Sequence, residues 1–396
     1  MKPRKNYKVD SKASLISKEF THANSEFALK IFKQLNYAEP GQNIFISPFS
    51  ISMLLAMVYN GTSGKTKKAM DQTLGFTNLN ANQINESYLN LLYSIKNFDP
   101  KIELEVGNFI WCREDISINP EFIDKNKKYF KVESKNINFE SITAADEINN
   151  KVKEVTKGRI EEIVKRGDLV NEIMFLANAI YFYGQWKDKF DKSFTEDKNF
   201  FLLDGNTKKV KMMSSSKDYY FYSANNLKVI RFPYGRDKVA MYVFLPADSS
   251  KLIDFIYKLN IDSLEKYLTL LKKVEVDVKF PKFKFEYETK ELKSYLIDLG
   301  MGAAFENTAE FSGIAPEVYI TDVRHKAIVE VNEEGTKAAA ASGVVVAQAS
   351  TTKKEFIADR PFLFLIRDDR SGTILFMGKI TNPEGGDGTP SFYDNP

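Results

Sequence analysis

The stretch Glu333-Glu334-Gly335-Thr336-Lys337-Ala338-Ala339-Ala340-Ala341-Ser342-Gly343-Val344-Val345-Val346-Ala347-Gln348-Ala349-Ser350 pulls in two directions. Ala338 to Ala341 are the best helix formers. Val344 to Val346 are β-branched and favour strands. Gly335 and Gly343 interrupt both. No proline lies between Pro316 and Pro361, so every backbone N–H in the stretch could join a β-ladder. In an extended chain Thr336, Ala338, Ala340, Ser342, Val344, Val346 and Gln348 share one face. That face is small at first and then apolar, and Lys337 falls on the other. Such a segment could slide between existing strands. An alanine-rich loop or a short helix is the competing reading, and the stretch alone leaves the two level.

The whole chain narrows the choice. Its 396 residues could hold two or three domains or one large one, and no Pro/Gly/Ser-rich linker or internal repeat divides it. With 56 basic and 53 acidic residues, charge gives no general argument for nucleic-acid or membrane partners. No apolar run approaches the ~18 residues of a spanning helix. Cys112 is the only cysteine, so no internal disulfide forms. His22 and His325 are the only histidines, which is weak material for a Ser-His-Asp or Cys-His site or for a metal. No enzyme activity and no cofactor are expected.

Periodicity places the elements. Met1 to Ser17 is polar and basic and reads as a flexible extension, with 18–396 as one domain. Phe27, Leu29, Ile31, Phe32 and Leu35 mark a first helix. Ser47-Pro48 is a good N-cap for the apolar helix through Tyr59, and Ser50 and Ser52 are odd polar residues within it. Ile84 to Ile95 has helical spacing, and its face is not strongly basic. Met174 to Trp186 is a nearly continuous apolar run, read as a strand covered on both faces, and Asn178 is then a buried amide that needs partners. Leu252 to Leu271 and Glu291 to Leu299 read as helices. Ile320 to Val331 leads as a strand into the opening stretch. Phe362–Ile366 and Ile374–Met377 read as a hairpin.

The opening stretch resembles the hinge and reactive-centre loop of the serpins: an acidic pair, Gly, Thr, one variable residue, then small residues. Ser47-Pro48-Phe49-Ser50-Ile51, Asn178 within its apolar run, and Phe311-Ser312-Gly313 are similar to further motifs of that family, over roughly Phe27 to Thr381. The resemblance implies an α+β serpin fold, with about eight or nine helices around three β-sheets and a reactive-centre loop at about 333–356. It implies a shutter behind the main sheet from Ser47, Ser50, Ser52, Asn178 and His325. It implies a breach at Trp186, Thr195, Lys282 and Glu333, with a Glu333–Lys282 ion pair. Lys151 stands where the family often has Trp.

The family's spacing from Glu333 puts the scissile bond between Ala349 and Ser350. Ala349 suits a serine protease with a shallow specificity pocket, elastase-like or subtilisin-like. The implied activity is suicide inhibition through a covalent acyl complex, with loop insertion into the main sheet. A non-inhibitory serpin acting as carrier, chaperone or storage protein is the alternative. Such members usually carry bulky, charged or proline residues at inward hinge positions, and Thr336, Ala338, Ala340 and Ser342 are none of these. An extracellular location is expected, with a cytoplasmic one as the alternative. A monomer is expected, and the loop carries a hazard of loop–sheet polymers.

Overall fold

The computed structural model describes residues 16–131, 134–335 and 353–384. The loop residues Thr336 to Thr352, with the Ala349–Ser350 bond, therefore lie outside the described residues, as do Met1 to Leu15. Among the described residues there are nine α-helices: α1 (Lys18–Ala38), α2 (Pro48–Tyr59), α3 (Gly64–Leu74), α4 (Ala81–Phe98), α5 (Pro120–Phe130), α6 (Ala144–Val155), α7 (Leu252–Lys258), α8 (Ile261–Thr269) and α9 (Lys293–Leu296). The strands in chain order are β1 (Ile44–Ile46), β2 (Ile102–Arg113), β3 (Ser134–Ile137), β4 (Met174–Gly184), β5 (Glu196–Phe201), β6 (Thr207–Ala224) and β7 (Leu227–Tyr234). They continue with β8 (Val239–Pro246), β9 (Lys272–Pro281), β10 (Phe283–Glu291), β11 (Ile320–Val331), β12 (Lys354–Ile357), β13 (Phe362–Asp368) and β14 (Thr373–Ile380).

One sheet has five strands in the order β10-β11-β4-β2-β3. At its centre β4 and β11 run parallel and pair directly, from Met174↔Ile320 to Tyr181↔Ile328. Both faces are covered, as the apolar run of β4 requires. On one face lie Met174, Leu176 and Ile180, part of the main core with α2, which is apolar but for Ser50 and Ser52 and every residue of which is buried. A helix with apolar residues on every side belongs in such a place. On the other face Phe175, Ala177 and Ala179 join Phe109 and Trp111 of β2. They pack under Ile148 and Val152 of α6 and under Ile160, Ile163, Val164 and Leu169 of the segment from α6 to β4.

The remaining strands form one hydrogen-bonded sheet rather than two separate ones, in the order β1-β14-β13-β8-β7-β6-β9-β12 with β5 on β6. The reason is the length of β6, 18 residues. Its Tyr220–Ala224 end pairs with β7, while Met212–Phe221 pairs with β9, so the second and third expected sheets meet along it.

Two helices differ from expectation. The single helix over 252–271 is two, broken where Leu259 turns extended (ψ 124°) and Asn260 caps the second with Ser263. The helix expected from Glu291 begins at Lys293, because β10 runs on to Glu291. At the chain's far end Lys379 is fully buried on β14. Its ammonium donates to Asn36 Oδ1 (2.7 Å) and to the carbonyls of Glu39 (2.9 Å) and Pro40 (2.8 Å), tying the last strand to the end of α1. Cys112 is buried as a free thiol, and burial pushes its pKa up to about 12.

Candidate functional site: the seam between β4 and β11

The central pair of strands is crossed by a buried polar chain on its core face. Ser47 lies just ahead of α2, extended (φ −109°, ψ 92°), and Pro48 opens the helix. The Ser47 Oγ accepts the Ser50 N–H at 3.2 Å and donates to the Leu375 carbonyl at 2.7 Å. Its own N–H donates to His325 Nε2 at 3.2 Å. That nitrogen must then be unprotonated, so Nδ1 carries the hydrogen and donates to Asn178 Oδ1, 2.5 Å away. The Asn178 amide in turn donates to Ser50 Oγ and to Asn108 Oδ1. His325 and Asn178 face each other in register on β11 and β4, so this chain stitches the seam itself.

His325 is fully buried and has no charged partner in this network. Burial lowers its pKa from the ordinary 6.5 to about 3, so it is neutral at physiological pH. Its nitrogens are occupied by a backbone N–H and an amide oxygen. Neither faces a nucleophilic oxygen, so the arrangement is not that of a Ser-His pair.

Ser52 does not join this chain. Two residues along a helix rotate by about 200°, so Ser52 faces away from Ser50. Its Oγ donates to Asn24 Oδ1 of α1 at 2.7 Å and receives the Tyr88 hydroxyl of α4 at 2.9 Å. Helical periodicity in the sequence carries that separation. Asn108, Asn24 and Tyr88 were not singled out from sequence, and nothing in their local pattern marks them.

Past Tyr181 the seam ends in a turn, and the four residues expected at the breach meet there. Glu333 is nearly buried. Its Oε2 pairs with Lys282 Nζ at 3.0 Å and its Oε1 accepts from the Thr195 hydroxyl at 2.7 Å. Burial alone would raise this carboxyl. The hydrogen bonds from Thr195 and Lys282 outweigh burial and hold it below its ordinary value. Trp186 stacks on Tyr234 with ring centres 4.5 Å apart, and its Nε1 donates to the Asn332 carbonyl at 2.9 Å. The Trp186 N–H donates to the Glu334 carbonyl at 3.1 Å, and Glu334 pairs with Lys192 at 3.1 Å. Gly335 closes the turn at φ +83°. A Cβ there would lie 2.2 Å from Trp186 N and 2.4 Å from the Gly184 carbonyl, so only glycine fits. The remaining hinge residues, Thr336 to Ala341, lie outside the described residues.

Known proteins are similar to this chain over nearly its whole length. A family model described as Serpin (serine protease inhibitor) matches residues 22–383. The leukocyte elastase inhibitor of Sus scrofa is 36% identical over 380 residues, covering 92% of this chain and 100% of that one. The crystal structure of human thyroxine-binding globulin superposes with a TM-score of 0.85 at 29% identity, covering 93% of this chain and 99% of that one. That of native protease nexin-1 with heparin gives 0.83 at 28%, covering 94% and 99%. The match runs through both faces of the seam and the turn at its end, and the chain therefore belongs to the serpin family.

Proposed function

We propose that this chain is a suicide inhibitor of serine proteases with shallow, small-residue specificity pockets, elastase-like or subtilisin-like. The protease attacks the Ala349 carbonyl and forms an acyl-enzyme with the new end of the loop. The freed strand, Thr336 onward, then enters between β4 and β11 and carries the protease with it.

The observation that carries this reading is the pairing of a seam with a sequence that fits it. β4 and β11 are parallel, directly bonded and central. The chain leaves β11 through the Gly335 turn and continues into Thr336, Ala338, Ala340 and Ser342, none of which is bulky or charged. Insertion breaks one ladder and makes two. The net gain of about a dozen hydrogen bonds at ~1 kcal/mol each is comparable with the ~5–15 kcal/mol stability of a domain. That is the scale needed to distort a bound protease. The relative named leukocyte elastase inhibitor supports the choice of target class.

The test is to mix the chain with pancreatic elastase and with subtilisin, then run denaturing gels and mass spectrometry. The expected result is a denaturant-stable covalent complex with cleavage after Ala349. Clean cleavage without a complex by both enzymes, and by a panel of other serine proteases, would overturn the inhibitory reading and favour a carrier or storage role. Thr336→Arg places a charge on the inserting face and should turn the inhibitor into a substrate.

A further inference from the structure

Three consecutive residues of β11 divide between the two faces of the seam. His325 points into the core. Arg324 and Lys326 lie on the opposite face, under the segment that connects α6 to β4, residues 156–173. That segment crosses the seam like a strap. One end is fastened on the β2–β4 side. Lys157 Nζ pairs with Glu105 on β2 at 2.9 Å, and the Arg159 guanidinium lies 5.4 Å from the centre of the Tyr181 ring on β4. The strap is also fixed to α6, because Asn149 Oδ1 accepts the Ile163 N–H at 2.9 Å and its amide donates to the Val164 carbonyl at 2.8 Å.

The other end is fastened to β11. Arg324 Nη1 pairs with Asp168 Oδ2 at 2.6 Å, and Lys326 Nζ donates to the Glu162 carbonyl at 3.0 Å. Both bonds reach from a strand on one side of the seam to a strap held on the other. When β11 parts from β4, both must break or the strap must move. Arg324 has two further partners, Asp322 at 2.7 Å and Glu291 at 3.3 Å. These sit on β11 and β10 and travel with Arg324, so they do not resist the parting.

We propose that Asp168 and Arg324 form a latch across the β4–β11 seam. The latch sets how fast the seam opens, and through that the fraction of protease encounters that end in a trapped complex rather than a cleaved inhibitor. Its second half rests on the inhibitory reading above. The pair suits such a role. Arg324 is 10% exposed and keeps two carboxylates when Asp168 lets go, so release strands no buried charge. Asp168 is 32% exposed and returns to water.

The test compares two changes of equal charge. Asp168→Asn removes the partner that crosses the seam, and Glu291→Gln removes one that does not. Hydrogen exchange of the β4 and β11 amides reads seam opening without any protease. Asp168→Asn should speed exchange over 174–181 and 320–328 by roughly threefold to tenfold, and Glu291→Gln should leave it unchanged. Lys326→Met, a second bond across the seam, should act in the same direction. In Arg324→Gln the further change Asp168→Asn should add little, because its partner is gone. With a protease that the parent chain traps, Asp168→Asn should lower the number of inhibitor molecules consumed per complex. Equal exchange in Asp168→Asn and Glu291→Gln would overturn the latch. Faster exchange with unchanged consumption would overturn its link to partitioning. A parent chain that traps no protease would sink the inhibitory reading instead, and exchange would still judge the latch.

Discussion

The two faces of the β4–β11 seam are held by opposite kinds of chemistry. The core face uses only neutral groups: Ser47, Ser50, Asn108, Asn178 and a neutral His325, all buried to 1% exposure or less. The strap face uses ion pairs whose carboxylates reach water: Arg324 with Asp168, and Lys326 with Glu286 at 2.7 Å. The difference follows from what happens if each face opens. A charge released inside the core would face a desolvation penalty of several kcal/mol, whereas a neutral amide can exchange one partner for another. A carboxylate released at the strap is solvated at once, and Arg324 keeps its other two partners. So the core face holds the seam firmly but without charge, and the strap face adds a weak hold that can be let go.

That contrast can be broken, most strongly at the core face. Asn178→Ala leaves the His325 Nδ1–H, Ser50 Oγ and Asn108 Oδ1 without the partner they share. Stability should fall by roughly 3–5 kcal/mol, at ~1–3 kcal/mol per unsatisfied group with some rearrangement, as read from urea melts. If the loss is no larger than for an ordinary surface change, the neutral network does not hold the seam.

Acid should act on the same face. Burial lowers the folded-state pKa of His325 from 6.5 to about 3, so the unfolded chain takes up the proton first. The stability from the neutral ring is present above pH 6.5 and is lost as pH falls toward 3. Between pH 7 and 5 the loss should be about 2 kcal/mol, at ~1.4 kcal/mol per unit below the unfolded value. Glu172 is raised by burial and works in the opposite direction, and Glu333 titrates below this window. The slope assigned to His325 is therefore the difference between the parent and His325→Gln, which should be flatter in urea melts at each pH.

The end of the seam should respond less. Glu333→Gln keeps a hydrogen-bonding group for Thr195 but removes the charge facing Lys282, which is itself a quarter exposed. A loss of about 1 kcal/mol is expected, measured by thermal melting. Smallest should be Lys326→Met on the strap face, under ~1 kcal/mol, with the difference shrinking in high salt. If Lys326→Met destabilised as much as Asn178→Ala, the two faces would not differ in the way described.

Much of this was legible in the sequence, and the parts that were not share a cause. The hinge, the Ser47-Pro48 cap and the apolar run around Asn178 are local patterns, and local patterns locate the seam. Their resemblance to one family then placed Lys282 and Thr195 beside Glu333. Ser52 was grouped with Ser50 by motif, although helix geometry separates them by half a turn. The break at Asn260 was also written locally, as Asn260-Ile261-Asp262-Ser263, and was overridden by the apolar spacing on either side. Arg324 and Asp168 are different, because 156 positions separate them and no motif marks either one. Their meeting depends on where the strap crosses the sheet, which only the folded chain determines. The joining of two sheets along β6 is of the same kind.

Lys379 and its three oxygens have a consequence for how the chain is made. Asn36 and Lys379 lie 343 positions apart, and among the described residues β1 pairs only with β14. At ~5–20 residues per second, the first helix and first strand leave the ribosome roughly 20–70 s before their partners exist. Throughout that interval the nascent chain holds an apolar α1 and an unpaired strand edge. The β13–β14 hairpin therefore closes a body most of whose chain is already made, and a chain stopped before it would hold α1 and β1 without these partners.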